Sequence, residues 1–179
     1  MNDYYKNYYE NYNPYDFYGY MNNYNRINPI YLKDYGADPF VINIQKAAMQ
    51  NNNFRTAIWT GQHLQITLMS IKVGESIGLE SHPNLDQFIR IEQGVGLVQM
   101  GDNRNNLNYE RTVHDNYAIV IPVGKWHNLT NIGNVPIKLY SIYAPPNHPK
   151  GTVIWIIFIE ITTNLYIFLL FFKNYIQII

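Results

Sequence analysis

The sequence predicts an all-β domain, a sandwich or a barrel, in the middle of a 179-residue chain. Three observations carry that expectation. Short runs rich in Val, Ile, Thr and aromatic residues recur between residues 38 and 151. Clusters of Gly, Pro, Asn and Asp separate them. Only one stretch, 45–51, has the composition of a helical turn. A segment of about 110 residues is long enough to bury a core of its own.

Taken in order, the runs span 40–44, 54–60, 64–73, 88–92, 96–100, 118–121 and 137–143. The breaks carry Gly74, Gly78, Pro83-Asn84, Gly94, Gly101-Asp102-Asn103, Gly124, Gly133-Asn134 and Pro145-Pro146, all residues suited to tight turns. In the run at 88–92 and the residue before it, a period of two puts Gln87, Ile89 and Ile91 on one face. Phe88, Arg90 and Glu92 fall on the other. The aliphatic company of Gln87 marks its face as the interior one.

The flanks differ from this domain. Residues 1–37 hold 11 of the 17 tyrosines and eight asparagines, with few aliphatic residues and no helical or strand period. They are expected to form a low-complexity arm, disordered in isolation, and lack the basic start and apolar run of a secretory signal. Residues 152–179 form an apolar tail. From Val153 to Phe172, 16 of 20 residues are apolar, long enough for a membrane span. Glu160, Thr162, Thr163 and Asn164 stand in its middle, where a carboxylate costs roughly 2.5–3.5 kcal/mol on insertion scales. Two readings stay open for the tail: a membrane anchor, or the residues that AT-rich DNA yields in an arbitrary frame.

Composition narrows the function. Thirteen basic residues balance thirteen acidic ones, so the clustered positive charge of a duplex-binding protein is missing and no nucleic-acid partner is expected. There is no cysteine, which excludes disulfides, thiol catalysis and thiolate metal sites. Any metal must be held through nitrogen and oxygen.

The chemistry concentrates in two stretches. In the first, Glu80 and His82 stand two apart and share a face if the segment is extended, and Gln87 follows five residues later past the Pro83-Asn84 turn. In the second, Pro122-Val123-Gly124 forms a turn and His127 opens the next strand. One carboxylate, two imidazoles and one amide inside a barrel are costly unless something polar satisfies them. Together they make a sensible set for divalent Mn, Fe, Co, Ni or Zn, with positions left for water or substrate. Asp86 is the alternative to Gln87, although the period of two places it on the Arg90 face. His63, His114 and His148 lie outside both stretches and read as surface or loop histidines. Trp126 reads equally well as a pocket wall or as a core or rim aromatic.

At these residues the chain resembles the cupin superfamily. The first cupin motif runs Gly, five residues, His-x-His, three or four residues, Glu, six residues, Gly. Here Glu80 stands at the first His, His82 at the second, Gln87 at the Glu, and Gly94 closes the motif. The second, Pro-x-Gly-x-x-His-x-x-x-Asn, is met by Pro122, Gly124, His127 and Asn131, with Asn116 where a preceding Gly is usual. The resemblance covers roughly residues 40–148. It implies a double-stranded β-helix (jelly-roll barrel), with 38–151 as the cupin domain, and a metal site of Glu80, His82, Gln87 and His127.

The same inventory, with Glu and Gln exchanged, occurs in sugar isomerases such as the mannose-6-phosphate isomerase-like cupins. The resemblance thus implies a small metal-dependent enzyme acting on a sugar-like molecule. Two His and one carboxylate also approach the pattern of cupin dioxygenases. A third reading is a non-catalytic metal- or ligand-binding cupin, tethered by its Tyr-rich arm to a coat or surface assembly. A homodimer paired through strand edges is expected, and a cytoplasmic location unless the tail is an anchor or the arm joins a surface layer.

Overall fold

The structure, a computed structural model, describes residues 29–155. The greater part of the arm and the tail from residue 156 lie outside the described residues, and with them most of the 153–172 segment. Among the described residues no helix is long and apolar enough to cross a membrane.

Among the described residues one helix, α1 (Ile44–Gln50), precedes nine strands. These are β1 (Arg55–Thr60), β2 (Gln65–Ile71), β3 (Asp86–Gln93), β4 (Gly96–Gly101), β5 (Tyr109–Val113), β6 (Ala118–Ile121), β7 (Trp126–Asn131), β8 (Ile137–Ala144) and β9 (Val153–Ile154). They form a six-stranded sheet in the order β6-β3-β8-β2-β1-β9 and a three-stranded sheet in the order β5-β4-β7. Every paired ladder is antiparallel. This is the jelly-roll barrel the sequence implied.

Alternation builds the core. β8 buries Ile137, Leu139, Ser141 and Tyr143 on its inner face, opposite Ile71, Met69, Thr67 and Gln65 of β2. β3 adds Ile91, Ile89 and Gln87 in register with Leu139, Ser141 and Tyr143. Val98, Val113 and Leu129 of the smaller sheet close over the aliphatic half. The inner face therefore passes from aliphatic to polar along each of these strands. The outer face of the large sheet carries a second apolar cluster, in which Ile58 and Leu68 pack on Ala47 and Ala48 of α1.

One expected strand is not there. Residues 40–44 alternate in burial as a strand does, with Val41 98% exposed, but they enter none of the sheet ladders. Asn43 instead caps α1 by accepting the Lys46 amide hydrogen bond, and Ile42 and Ile44 pack on the outer cluster. Period-two burial reports an extended chain on an apolar surface, not a hydrogen-bonded ladder. β5 had no signal in the sequence because four of its five residues are exposed.

The packed body reaches past both compositional boundaries. Ile30 and Leu32 join the outer cluster, and the backbone of Ile30 exchanges two hydrogen bonds with the Gln50 side chain. At the other end Val153 pairs with Thr56.

Candidate metal centre

The two motifs meet through backbone hydrogen bonds. The Glu80 amide donates to the His127 carbonyl at 3.0 Å, and the His127 amide donates back to Glu80 at 2.9 Å. Residues paired in this way lie directly opposite each other and project their side chains to one side. A second link holds His82, whose carbonyl accepts from the Gly124 amide at 2.8 Å. Gly124 has φ +77°, and the Lys125 amide closes its turn on the Pro122 carbonyl at 3.2 Å. That turn needs a positive φ in its third position, which glycine supplies. The spacing Pro-x-Gly-x-x-His thus sets the turn that carries His127 to Glu80.

Glu80, His82 and His127 converge, with candidate ligand atoms all within 4.8 Å of one another. Glu80 Oε1 lies 3.5 Å from His82 Nε2 and 3.5 Å from His127 Nε2. None of these three buried atoms makes a hydrogen bond. Two ligand atoms each about 2.1 Å from one ion at a tetrahedral angle would be about 3.4 Å apart. The spacing and the orphaned atoms therefore fit a divalent ion better than a self-contained polar cluster.

The tautomer agrees. His127 Nδ1 is 3.0 Å from the Lys125 carbonyl, an acceptor only, so Nδ1 carries the proton and Nε2 offers its lone pair. Burial tends to raise the Glu80 pKa, but the imidazoles of His127 and His82 and the charge of Arg55 outweigh it and hold the carboxyl at about 2. Glu80 is an anion at neutral pH.

Gln87 faces inward and is buried, as the period of two requires. Its amide nitrogen donates to Ser141 Oγ at 3.0 Å, and its Oε1 has no hydrogen-bond partner. Asp86, the alternative, is exposed and accepts the Val123 amide at 2.8 Å, so it braces the Pro122 turn from outside the barrel. Asn131 is structural: its side chain bonds Ile71, Val135 and Gly133 backbone groups. Asn116, standing where a glycine is usual, has φ +71°, a conformation asparagine tolerates better than most residues.

Comparison with known proteins agrees with this fold. The cupin domain model matches residues 67–143. The chain is 38% identical over 115 residues to protein L612 of Acanthamoeba polyphaga mimivirus, across 64% of this chain and 70% of that one. The chain belongs to the cupin superfamily. It is also 66% identical over 122 residues to YrkC of Bacillus subtilis (strain 168), a match spanning 68% of this chain and 66% of YrkC. The crystal structure of BH2720 from Bacillus halodurans is 61% identical, covering 69% of this chain and 93% of that chain, with a TM-score of 0.68.

Three residues of this cupin's interior escaped sequence reasoning. Tyr143 is fully buried, and its ring meets His82 edge-on at 5.8 Å and His148 at 5.1 Å. His148 is a loop residue, as expected, but a half-buried one beside the site. Its loop is held by Gln65, whose Oε1 accepts from the amides of Asn147 and His148 and whose Nε2 donates to the His148 carbonyl. Burial, followed by the charge of Arg55, pushes the His148 pKa down to about 4, so the ring is neutral near pH 7. The third is Arg55, 6% exposed at the start of β1. His63 and His114 are exposed, as expected. Trp126 is half-buried, with the Arg104 guanidinium 5.7 Å from its ring, a rim position.

Proposed function

We propose that this cupin binds a divalent metal ion through Glu80, His82 and His127, with Gln87 Oε1 as fourth ligand, and acts on a small sugar-like molecule in the manner of an isomerase. The observation that carries the reading is the set of orphaned atoms: Glu80 Oε1, His82 Nε2 and His127 Nε2 are buried, spaced for a shared ion, and otherwise unsatisfied. A bound Mn, Fe, Co, Ni or Zn ion would polarise a carbonyl and hydroxyl pair. The chain's own contribution is to hold the donors and shape the surroundings. The Lys125 carbonyl orients His127, Ser141 turns the Gln87 amide so that its oxygen is free, and Tyr143 and His148 supply neutral polar edges. Glu80 as a ligand is a poor base, so no residue is assigned the proton transfer.

Metal analysis of the purified full chain tests this. About one transition-metal ion per chain is expected, and His127→Ala should abolish loading. If no such metal co-purifies or can be loaded, the metal-enzyme reading fails, and a ligand-binding cupin tethered by its tyrosine-rich arm takes its place. With metal bound, conversion of hexose phosphates without oxygen uptake is expected. Oxygen consumption would point to a dioxygenase.

A further inference from the structure

Arg55 is an anomaly of placement. A guanidinium is always charged, and one removed from water is normally paired with a carboxylate. Arg55 is not: among the described residues no carboxylate lies within 4.0 Å of it. Its Nε makes no hydrogen bond, and its Nη2 meets only the weak acceptor Met69 Sδ at 3.7 Å. Its carbon Cζ sits 5.5 Å from the Phe54 ring centroid. Electrostatically it reaches Glu80, Tyr143 and His148, so its charge is felt at the polar end of the barrel.

The residues nearby are left in the same condition. Thr67 is fully buried with its hydroxyl unpartnered. Tyr143 Oη makes no hydrogen bond of acceptable geometry, although the hydroxyls of Ser141 and Thr67 lie beside it. The register explains the grouping. Ala57, two residues after Arg55 on the inner face of β1, pairs with Thr67, which pairs with Ser141, while Tyr143 lies one step further along β8. The small Ala57 leaves the middle of that row without a bulky side chain.

One unpaired guanidinium and two unpaired hydroxyl donors, all on the inner face, match the needs of one anion. We propose that Arg55, with Thr67 and Tyr143 as further donors, binds the carboxylate of a small organic acid whose remaining oxygens reach the Glu80, His82 and His127 cluster. This rests on the metal-centre reading and sharpens its substrate class from sugar-like to hydroxy acid. A single fixed positive charge suits a carboxylate monoanion, and Arg presents its donors in a planar fork that matches a carboxylate.

The test is calorimetric titration of the full chain, with and without loaded Co2+, against D-glucuronate, D-glucose and acetate. Glucuronate and glucose differ by a carboxylate in place of a hydroxymethyl group. Expected are binding of glucuronate at least about 10-fold tighter than glucose, weak binding of acetate, and a loss of about 10-fold or more in Arg55→Gln with Co2+ stoichiometry unchanged. Thr67→Val should weaken glucuronate by a smaller factor. Far-UV circular dichroism of the ligand-free Arg55→Gln chain checks that it folds, since the Arg55 charge also steadies the Glu80 carboxylate. Equal binding of glucose and glucuronate, undiminished binding by Arg55→Gln, or no carboxylate binding in either metal state overturns the proposal. If Co2+ fails to load but glucuronate still binds through Arg55, the metal reading falls and the anion site stands.

Discussion

The two ends of the barrel are built on the same strands and do opposite things. Along the inner face of β8 the order is Ile137, Leu139, Ser141, Tyr143; along β2 it is Ile71, Met69, Thr67, Gln65. At the aliphatic end each buried side chain gains from leaving water, and Val98, Val113 and Leu129 of the smaller sheet complete the packing. At the other end Arg55, Thr67, Gln87, Glu80, His82, His127 and Tyr143 each keep a buried polar atom unpartnered. Such atoms are liabilities for folding, worth roughly 1–3 kcal/mol each when truly desolvated. One half of the molecule therefore stabilises the unsatisfied polar cluster that the other half holds.

The largest expected effect lies at the aliphatic end. Leu139 is fully buried between Met69 and Ile91 across the ladders. Leu139→Ala should cost about 2–5 kcal/mol in urea unfolding, through lost transfer energy and the cavity left behind. The folded fraction should still load metal at the wild-type stoichiometry. Loss of the metal site in folded protein would show that the two ends are not separable.

His127→Ala reverses the pattern. His127 is 1% exposed and its partners are one backbone carbonyl and the ligand cluster. Metal affinity should fall at least about 100-fold, near 2.7 kcal/mol, while the urea midpoint of the metal-free chain moves far less than in Leu139→Ala. Equilibrium dialysis of Co2+ and metal-free unfolding read the two quantities independently. Comparable losses of stability in both variants would break the distinction.

How much of this could be read in the sequence follows the same division. Motif spacing and the period of two located Glu80, His82 and His127, and placed Gln87 inward, because those relations are local to one strand or one turn. The all-β class was legible for the same reason: β1, β2, β3, β4, β6 and β8 each coincide with an apolar run, whereas β7 was marked only by the turn before His127 and β5 carried no signal. Arg55 was not legible: it sits in the run Phe54-Arg55-Thr56-Ala57, where a charged residue at a strand start reads as solvent-facing. Only the Arg55–Met69 register shows that it points inward. His148 was missed because its place depends on Gln65, 83 residues earlier in the chain. Residues 40–44 misled because burial can alternate without a ladder.

The loop that carries His148 gives a smaller effect. Gln65 is fully buried and all its donors and acceptors are used, on Thr60, Asn147 and His148. Gln65→Leu keeps the bulk and removes every bond, leaving the loop's backbone groups to water. A loss of roughly 1–3 kcal/mol is expected, with the loop at 145–151 becoming the first site of limited proteolysis. Unchanged protection of that loop would mean that packing of His148 on Tyr143 alone holds it.

The last effect is on pH dependence, and it separates the His148 loop from the ligand cluster. His148 faces Tyr143 and lies in the field of Arg55, Glu80 and His82. Burial first, and then the Arg55 charge, hold its pKa at about 4 against an ordinary 6.5. Between those values the unfolded chain binds a proton that the folded chain refuses. Stability from this group is therefore complete above about pH 6.5 and declines as the pH falls toward 4. Glu80 acts over a lower window. Its carboxyl is held at about 2 against 4.5, so its contribution is intact above pH 4.5 and is lost as the pH falls toward 2. His148→Asn should flatten the urea midpoint of the metal-free chain between about pH 6.5 and 4.5 and leave the steeper fall below pH 4 in place. A profile indifferent to that substitution would put the imidazole in solvent, and the loop that carries it would then be no part of the polar end at all.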